Sequence, residues 1–269
     1  MTKPDVSLII PVYKDLRALR LIMIGLQRQS FQNFEVIIAE DNIGDDMTSF
    51  LEDMRLKMPF TIKHTCQPDE GFRKCRALNA AIKIAESDYL VFLDGDCLPH
   101  RHFLRAHFNN KQQDTALWGR RVMLSEQLTS QIYRSLDKAY GLLTFFQLWL
   151  SGSKRLDCSI YMPFLPKKIS KKSAIWGCNW SLHKANIMAV NGFDENYTSP
   201  GFGEDTDIEW RLLQSGVSLK KIKNEAIQYH LHHPENYSNT RAMEEIFART
   251  KREKAIITQN GLEKRLPFY

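Results

Sequence analysis

The sequence predicts an α/β protein with a Rossmann-like, mostly parallel central sheet flanked by helices, and three observations carry that prediction. Short apolar-rich runs at 6–12 (V-S-L-I-I-P-V), 34–39 (F-E-V-I-I-A) and 89–93 (Y-L-V-F-L) read as buried strands, the last apolar on both faces. Stretches with helical apolar spacing separate them. The strands end in acidic residues, and open α/β sheets collect their ligands just beyond the carboxyl ends of the strands.

Taken in order, the first run ends at Pro11, and Leu16, Leu19, Met23 and Leu26 then form one stripe of a helix over 16–29. The second run closes on Glu40, Asp41 and Asn42. A helix is expected over 46–57, with Asp45 or Asp46 near its N-cap and Pro59 beyond its end. Residues 60–66 read as a third strand, and the alanine-rich helix 75–86 feeds the 89–93 strand. This alternation is the pattern of a parallel sheet with right-handed crossovers.

After Pro99 the expectations are a helix over 100–110 and a strand over 116–124. Residues 125–173 are the least regular part. Within them 140–150, Y-G-L-L-T-F-F-Q-L-W-L, reads as a core helix or as an interfacial segment near Lys167, Lys168, Lys171 and Lys172. The core is favoured, because the charges trail the run instead of lining its opposite face. Residues 175–183 read as a strand entering a short helix that ends at Asn191 and Gly192. A loop with Gly201 and Gly203 then brings Glu204, Asp205 and Asp207 to a helix N-terminus, where carboxylates are favourable, and Gly216 is the expected C-cap. Residues 217–229 read as a last strand or hairpin running into H-L-H-H, and 240–259 as a charged helix.

A chain of 269 residues buries a sizeable core in one large domain or two small ones. Five cysteines with no C-x-x-C pair favour reduced thiols in a cytosolic compartment. The start M-T-K-P-D-V lacks an apolar signal region, and no run reaches the ~18 apolar residues of a spanning helix. A formal charge of +6 suggests acidic company such as nucleotide phosphates, an anionic membrane or nucleic acid. The lysine clusters at 167–172 and 220–223 carry no interleaved aromatics, which argues against a single-strand-binding groove. P-V-Y-K-D follows the first strand where G-x-G-x-x-G would stand, and no G-x-x-x-x-G-K-[ST] occurs. The usual dinucleotide oxidoreductases and P-loop enzymes are thereby excluded.

Three clusters call for chemistry. Asp94, Gly95 and Asp96 place two carboxylates at a strand end, a hard-oxygen site suited to Mg²⁺ or Mn²⁺ when substrate phosphates complete the shell. Taken alone, D-G also makes a common turn. The second cluster is G-E-D-T-D at 203–207 and the third H-L-H-H at 230–233. On an alternating strand His230 and His232 would share a face while Leu231 points to the core. One imidazole, carboxylates and diphosphate oxygens then make a shell for either cation.

Together V-S-L-I-I-P-V-Y, the acidic pair at 40–41, E-G-F-R-K-C-R-A-L-N-A-A-I, D-G-D and G-E-D-T-D-I-E-W-R-L resemble an inverting family-two glycosyltransferase of the GT-A fold, over about 6–233. The segment from W-G-C-N-W-S to G-E-D-T-D also resembles galactosyl- and N-acetylgalactosaminyltransferases, including bacterial chondroitin-type polymerases. The resemblance implies a GT-A catalytic domain over 1–239, split into a nucleotide-binding half (1–115) and an acceptor-side half (116–239), with a helical tail over 240–269. It implies that Pro11 and Tyr13 frame the nucleotide and that Glu40 or Asp41 meets uracil and ribose. Arg73, Arg76 and Asn79 would lie near base and diphosphate, with Asp94 on the ribose beside Gly95. Asp96 would bind the metal, Mn²⁺ or Mg²⁺, with His230 or His232 as a further ligand. Trp176, Asn179 and Trp180 would wall the sugar pocket. Asp205 matches the base, with Glu204 holding donor or acceptor hydroxyls.

The resemblance further implies a UDP-sugar donor (Gal or GalNAc favoured over Glc or GlcNAc) and a saccharide or lipid-linked saccharide acceptor. The setting it implies is bacterial capsule, lipooligosaccharide or other surface polysaccharide synthesis, in the cytoplasm or peripherally on the inner face of an anionic membrane, with no nucleic-acid partner. Two other readings stay open on the residues: a sugar-phosphate nucleotidyltransferase and a non-catalytic carbohydrate-binding module.

Overall fold

The computed structural model describes residues 3–165, 169, 170, 175, 177–234 and 240–264. The first half alternates β1 (Val6–Val12), α1 (Leu16–Gln27), β2 (Phe34–Glu40), α2 (Asp45–Lys57), β3 (Thr61–Cys66), α3 (Lys74–Ile84) and β4 (Tyr89–Phe92). Next come β5 (Cys97–Pro99), α4 (Phe103–Asn110), β6 (Thr115–Trp118), β7 (Val122–Met123), α5 (Glu126–Arg134) and α6 (Phe145–Leu150). Then β8 (Ile169–Ser170), β9 (Trp180–His183), α7 (Lys184–Ala189) and α8 (Glu204–Gln214) lead to β10 (Ser218–Lys221), β11 (Gln228–His230) and α9 (Thr240–Glu253).

Eight strands form the main sheet in the order β3-β2-β1-β4-β9-β6-β10-β8. The first four are parallel, as expected from the crossover pattern. β9 runs antiparallel between β4 and β6, and β10 returns parallel to β6. The sheet is buried on both faces because successive strand residues alternate between two cores. Leu8, Ile10, Val36 and Ile38 meet Leu19, Ile22, Phe50 and Leu51 of α1 and α2. Ile9, Ile37, Leu90 and Phe92 meet Leu78 and Ile82 of α3 and Ile208 and Leu212 of α8 on the other side. Met243 and Leu262 of the segment after 239 join this second core.

A second sheet, β5-β11-β7, sits at the carboxyl edge of the first. It corrects two expectations. The 116–124 run is not one strand: it breaks after Trp118, and its halves belong to different sheets. Residues 217–229 likewise form β10 in the large sheet and β11 in the small one, not a hairpin. A third correction falls on 140–150. The run is interrupted at Leu143 and Thr144, and α6 buries only Leu148 while exposing Phe145, Phe146, Trp149 and Leu150. All five cysteines are free thiols, four of them buried.

Candidate active site

The small sheet positions the metal-ligand candidates. β4 ends against β1, and a Cβ on Gly95 would stand 2.6 Å from the Pro11 carbonyl oxygen, so only glycine fits between the two aspartates. The chain then enters β5, which pairs antiparallel with β11 and sets Cys97 opposite His230. The Leu231 amide donates to the Asp96 carbonyl at 2.9 Å, locking the histidine strand to the acidic turn.

As a result Asp96 lies 3.3 Å from Nε2 of His230 and 3.1 Å from Nε2 of His233. The two Nε2 atoms are 3.3 Å apart. Here the expected alternation fails. β11 stops at His230, so the chain turns and brings His233 to the group three residues later. His232 stays outside it, exposed, with its amide on the Thr129 hydroxyl at 2.9 Å. The hydrogen bond to Asp96 pushes His233 up to about 9. Burial raises the Asp96 carboxyl, but the bonds from His230 and His233 outweigh it and hold it well below the usual carboxylate range.

The donor set fits a divalent cation. One carboxylate and two imidazoles converge from two elements, and Nδ1 of His233 bonds the Pro234 carbonyl at 2.9 Å, orienting Nε2 inward. A set with two nitrogens suits Mn²⁺ better than Mg²⁺, which prefers oxygen.

The second group of carboxylates comes from the first turn of α8. Its N-cap, Gly203, has φ +123°, and a Cβ there would run into the Tyr197 ring, so glycine permits this entry. The three acids of the first turn divide their roles. Asp207 is buried and bonds Arg211 at 2.7 Å, and Arg211 donates to the Val190 and Gly192 carbonyls, so this acid anchors the helix. Glu204 and Asp205 face the cleft. The Asp205 carboxylate accepts from the Gly177 amide at 2.7 Å. Burial, and next the neighbouring Glu204, push Asp205 up to about 7, against the lowering effect of Lys74.

Lys74 is a site residue that the motif reading passed over. Its ammonium lies 3.1 Å from Asp94 and 3.6 Å from Glu204. Burial lowers its proton affinity, but Asp94, Asp205 and Glu204 more than offset this and hold it well above the usual lysine value. A signal was available: Lys74 is the first residue of α3, a helix end where a cation is electrostatically disfavoured, so its presence there calls for another reason.

These residues line one open cleft of about 1310 Å³, together with Pro11, Tyr13, Asp41 and Gly95. Asp41 accepts from Gln67 at 2.6 Å and from the Arg73 amide at 2.7 Å. Several expected contacts lie elsewhere. Glu40 is buried against His64 at 2.8 Å, so Asp41 is the member of the pair that reaches the cleft. The Arg73 side chain folds onto the Phe72 carbonyl, and Arg76 binds Gln67, Glu70 and the Pro68 carbonyl. Asn79 is a buried clasp on the Phe193 backbone. Asn179 bonds the Arg120 and Ala226 carbonyls and His107, also in the interior. Trp180 is fully buried and stacked on Phe92 at 4.3 Å, because the alternation of β9 turns it into the core. Trp176 lies outside the described residues.

A mostly parallel sheet with a cleft at its carboxyl edge is the architecture of the GT-A fold. Residues 7–164 match the profile of glycosyl transferase family 2, and residues 164–234 that of the N-terminal domain of galactosyltransferase. The chain belongs to glycosyl transferase family 2.

Chondroitin synthase of Pasteurella multocida (strain Pm70) is 23% identical over 266 residues, spanning 92% of this chain and 27% of that protein. Validoxylamine A glucosyltransferase of Streptomyces hygroscopicus subsp. jinggangensis (strain 5008) is 27% identical over 240 residues, 80% of this chain and 53% of its own. The chain thus spans about a quarter and about half the lengths of these two relatives. Among solved structures, the mannosyltransferase PcManGT from Pyrobaculum calidifontis in complex with GDP-Man and Mn²⁺ superposes with TM-score 0.60 at 15% identity, over 95% of this chain and 65% of that one. S. aureus TarS 1–349 in complex with UDP-GlcNAc gives 0.58 at 14%, over 90% and 64%. At these identities the likeness shows the fold.

Proposed function

We propose that the chain transfers a hexose, with galactosyl or N-acetylgalactosaminyl favoured, from a UDP-sugar to a saccharide or lipid-linked saccharide, with inversion, in bacterial surface-polysaccharide synthesis in the cytoplasm. The observation that carries this reading is Asp205: a carboxylate of raised proton affinity at a helix start, in the same cleft as the Asp96–His230–His233 group. Asp96, His230 and His233 would hold the cation. When bound, a divalent cation supplies Lewis-acid stabilisation of charge on the leaving diphosphate.

The chain's own groups supply the rest. Asp41, held by Gln67 and the Arg73 amide, receives uracil or ribose donors, and Tyr13 and Pro11 border the nucleotide. Asp205 takes the proton of the acceptor hydroxyl as its oxygen bonds the anomeric carbon, while the bond from that carbon to the diphosphate breaks and its electron pair leaves with UDP. One displacement inverts the centre, and UDP needs no general acid to depart. Glu204, beside the base, holds sugar hydroxyls.

UDP-sugar turnover by Asp205→Asn tests the reading. Asparagine keeps the size, the helix-start preference and an acceptor for the Gly177 amide. Turnover should fall by about two to four orders of magnitude, with the fold intact. Near-native turnover would remove Asp205 as base and make Glu204 the next candidate.

A further inference from the structure

The apolar run after residue 140 forms a face that the transfer chemistry leaves unused. On α6, Phe145, Phe146, Trp149 and Leu150 are 53, 61, 60 and 57% exposed, a concentration of large apolar side chains rare on one short helix. The turn Leu156–Cys158 packs on α6, and beyond it Ile160, Tyr161, Phe164 and Leu165 are exposed as well.

Asn224 fastens this second group to the loop after β10. It donates to the Asp157 and Ile160 carbonyls, and its own carbonyl accepts from the Met162 amide. The basic residues bordering this loop in sequence are Lys220, Lys221 and Lys223, and the exposed Lys154 and Arg155 lie between the two apolar groups. Between residues 145 and 165 the single acid is Asp157, and Lys223 bridges it. The face therefore combines aromatic and aliphatic side chains with basic ones.

That combination suits the headgroup region of an anionic bilayer, where Trp, Tyr and Phe settle and Lys and Arg meet lipid charge. A second copy of this chain suits it less. A two-fold contact through the face would set Lys154, Arg155, Lys221 and Lys223 against their own copies, on a chain of net charge +6. No helix among the described residues is long and apolar enough to cross a membrane, so the contact would be superficial. Gly152 and Lys154 also line the cleft, so the face leads straight to its wall.

We infer that this face docks the protein on an anionic lipid surface, with the cleft opening beside it. The inference is independent of the transfer chemistry, because lipid binding needs neither donor nor base. Flotation with vesicles tests it, comparing phosphatidylglycerol–phosphatidylcholine mixtures with phosphatidylcholine alone at low and high salt. The native chain should float with the mixed vesicles, and salt should weaken the binding. The double variant Phe146→Ser/Trp149→Ser should bind about tenfold or more weakly, with native circular dichroism and native UDP-sugar turnover. Three results would overturn the inference: no flotation with anionic vesicles, equal flotation of the double variant, or a native dimer that the double variant turns into a monomer. Equal binding to phosphatidylcholine alone would overturn the role of charge.

Discussion

Lys74 sets the charge balance among three acids of the cleft. Asp94, Glu204 and Asp205 come from two elements, and Lys74 from a third stands between them. Without it, three carboxylates would share a partly buried space, and ionising any of them would cost more. The account therefore places a proton-affinity limit on catalysis. As the proposed base Asp205 would act only when ionised, and burial and the neighbouring Glu204 push it up to about 7, so kcat/KM should rise with pH through about 7 and then level off. Lys74→Met removes a group that favours the ionised form, so the acid limb should move to higher pH and turnover at neutral pH should fall by about tenfold or more. Lys74→Arg should restore much of the native profile. A pH–rate series on the three proteins checks this, and an acid limb that stays in place in Lys74→Met would mean the lysine only fills space.

At the scale of elements, the end of β11 decides which histidines act together. A strand continued to residue 232 would pair His230 with His232, but the strand stops at His230 and the following turn delivers His233. His233→Ala should raise the Mn²⁺ concentration for half-maximal activation by about tenfold or more, while His232→Ala should leave it near native. Mn²⁺ titration of UDP-sugar turnover measures this, and equal behaviour of the two variants would return His233 to the surface.

The same strand end shows what sequence patterns can and cannot locate. β1, β2, β4 and the helices between them were legible to within a few residues, because each carries its own periodicity and a single sheet absorbs them all. The region from 116 to 230 was less so. An apolar run such as 116–124 has the same pattern whether it forms one strand or is shared between two sheets, and tertiary pairing alone makes the cut at Trp118. Trp180 and Asn179 sit in a motif to which the family resemblance assigns a sugar wall. The alternation of β9 and the interior partners of Asn179 place both inside. Lys74 has no motif of its own, because only the fold brings it between Asp94 and Glu204.

Across the whole molecule, the cleft is a joint product of the chain's two halves. Asp41, Asp94 and Asp96 stand at the carboxyl edge laid down by the first four strands, whereas His230, His233, Glu204 and Asp205 come from the region after β9. The small sheet fastens the halves together where β5 pairs with β11, which sets Cys97 opposite His230. The central claim is that these parts bind a nucleoside diphosphate through a shared cation. Calorimetric titration of UDP into the native protein, with Mn²⁺ and then with a chelator, tests it most directly. The account predicts that chelation weakens UDP binding by about tenfold or more, and that Asp96→Ala binds UDP weakly whether or not Mn²⁺ is present. Equal UDP affinity of the native protein in Mn²⁺ and in chelator would contradict it.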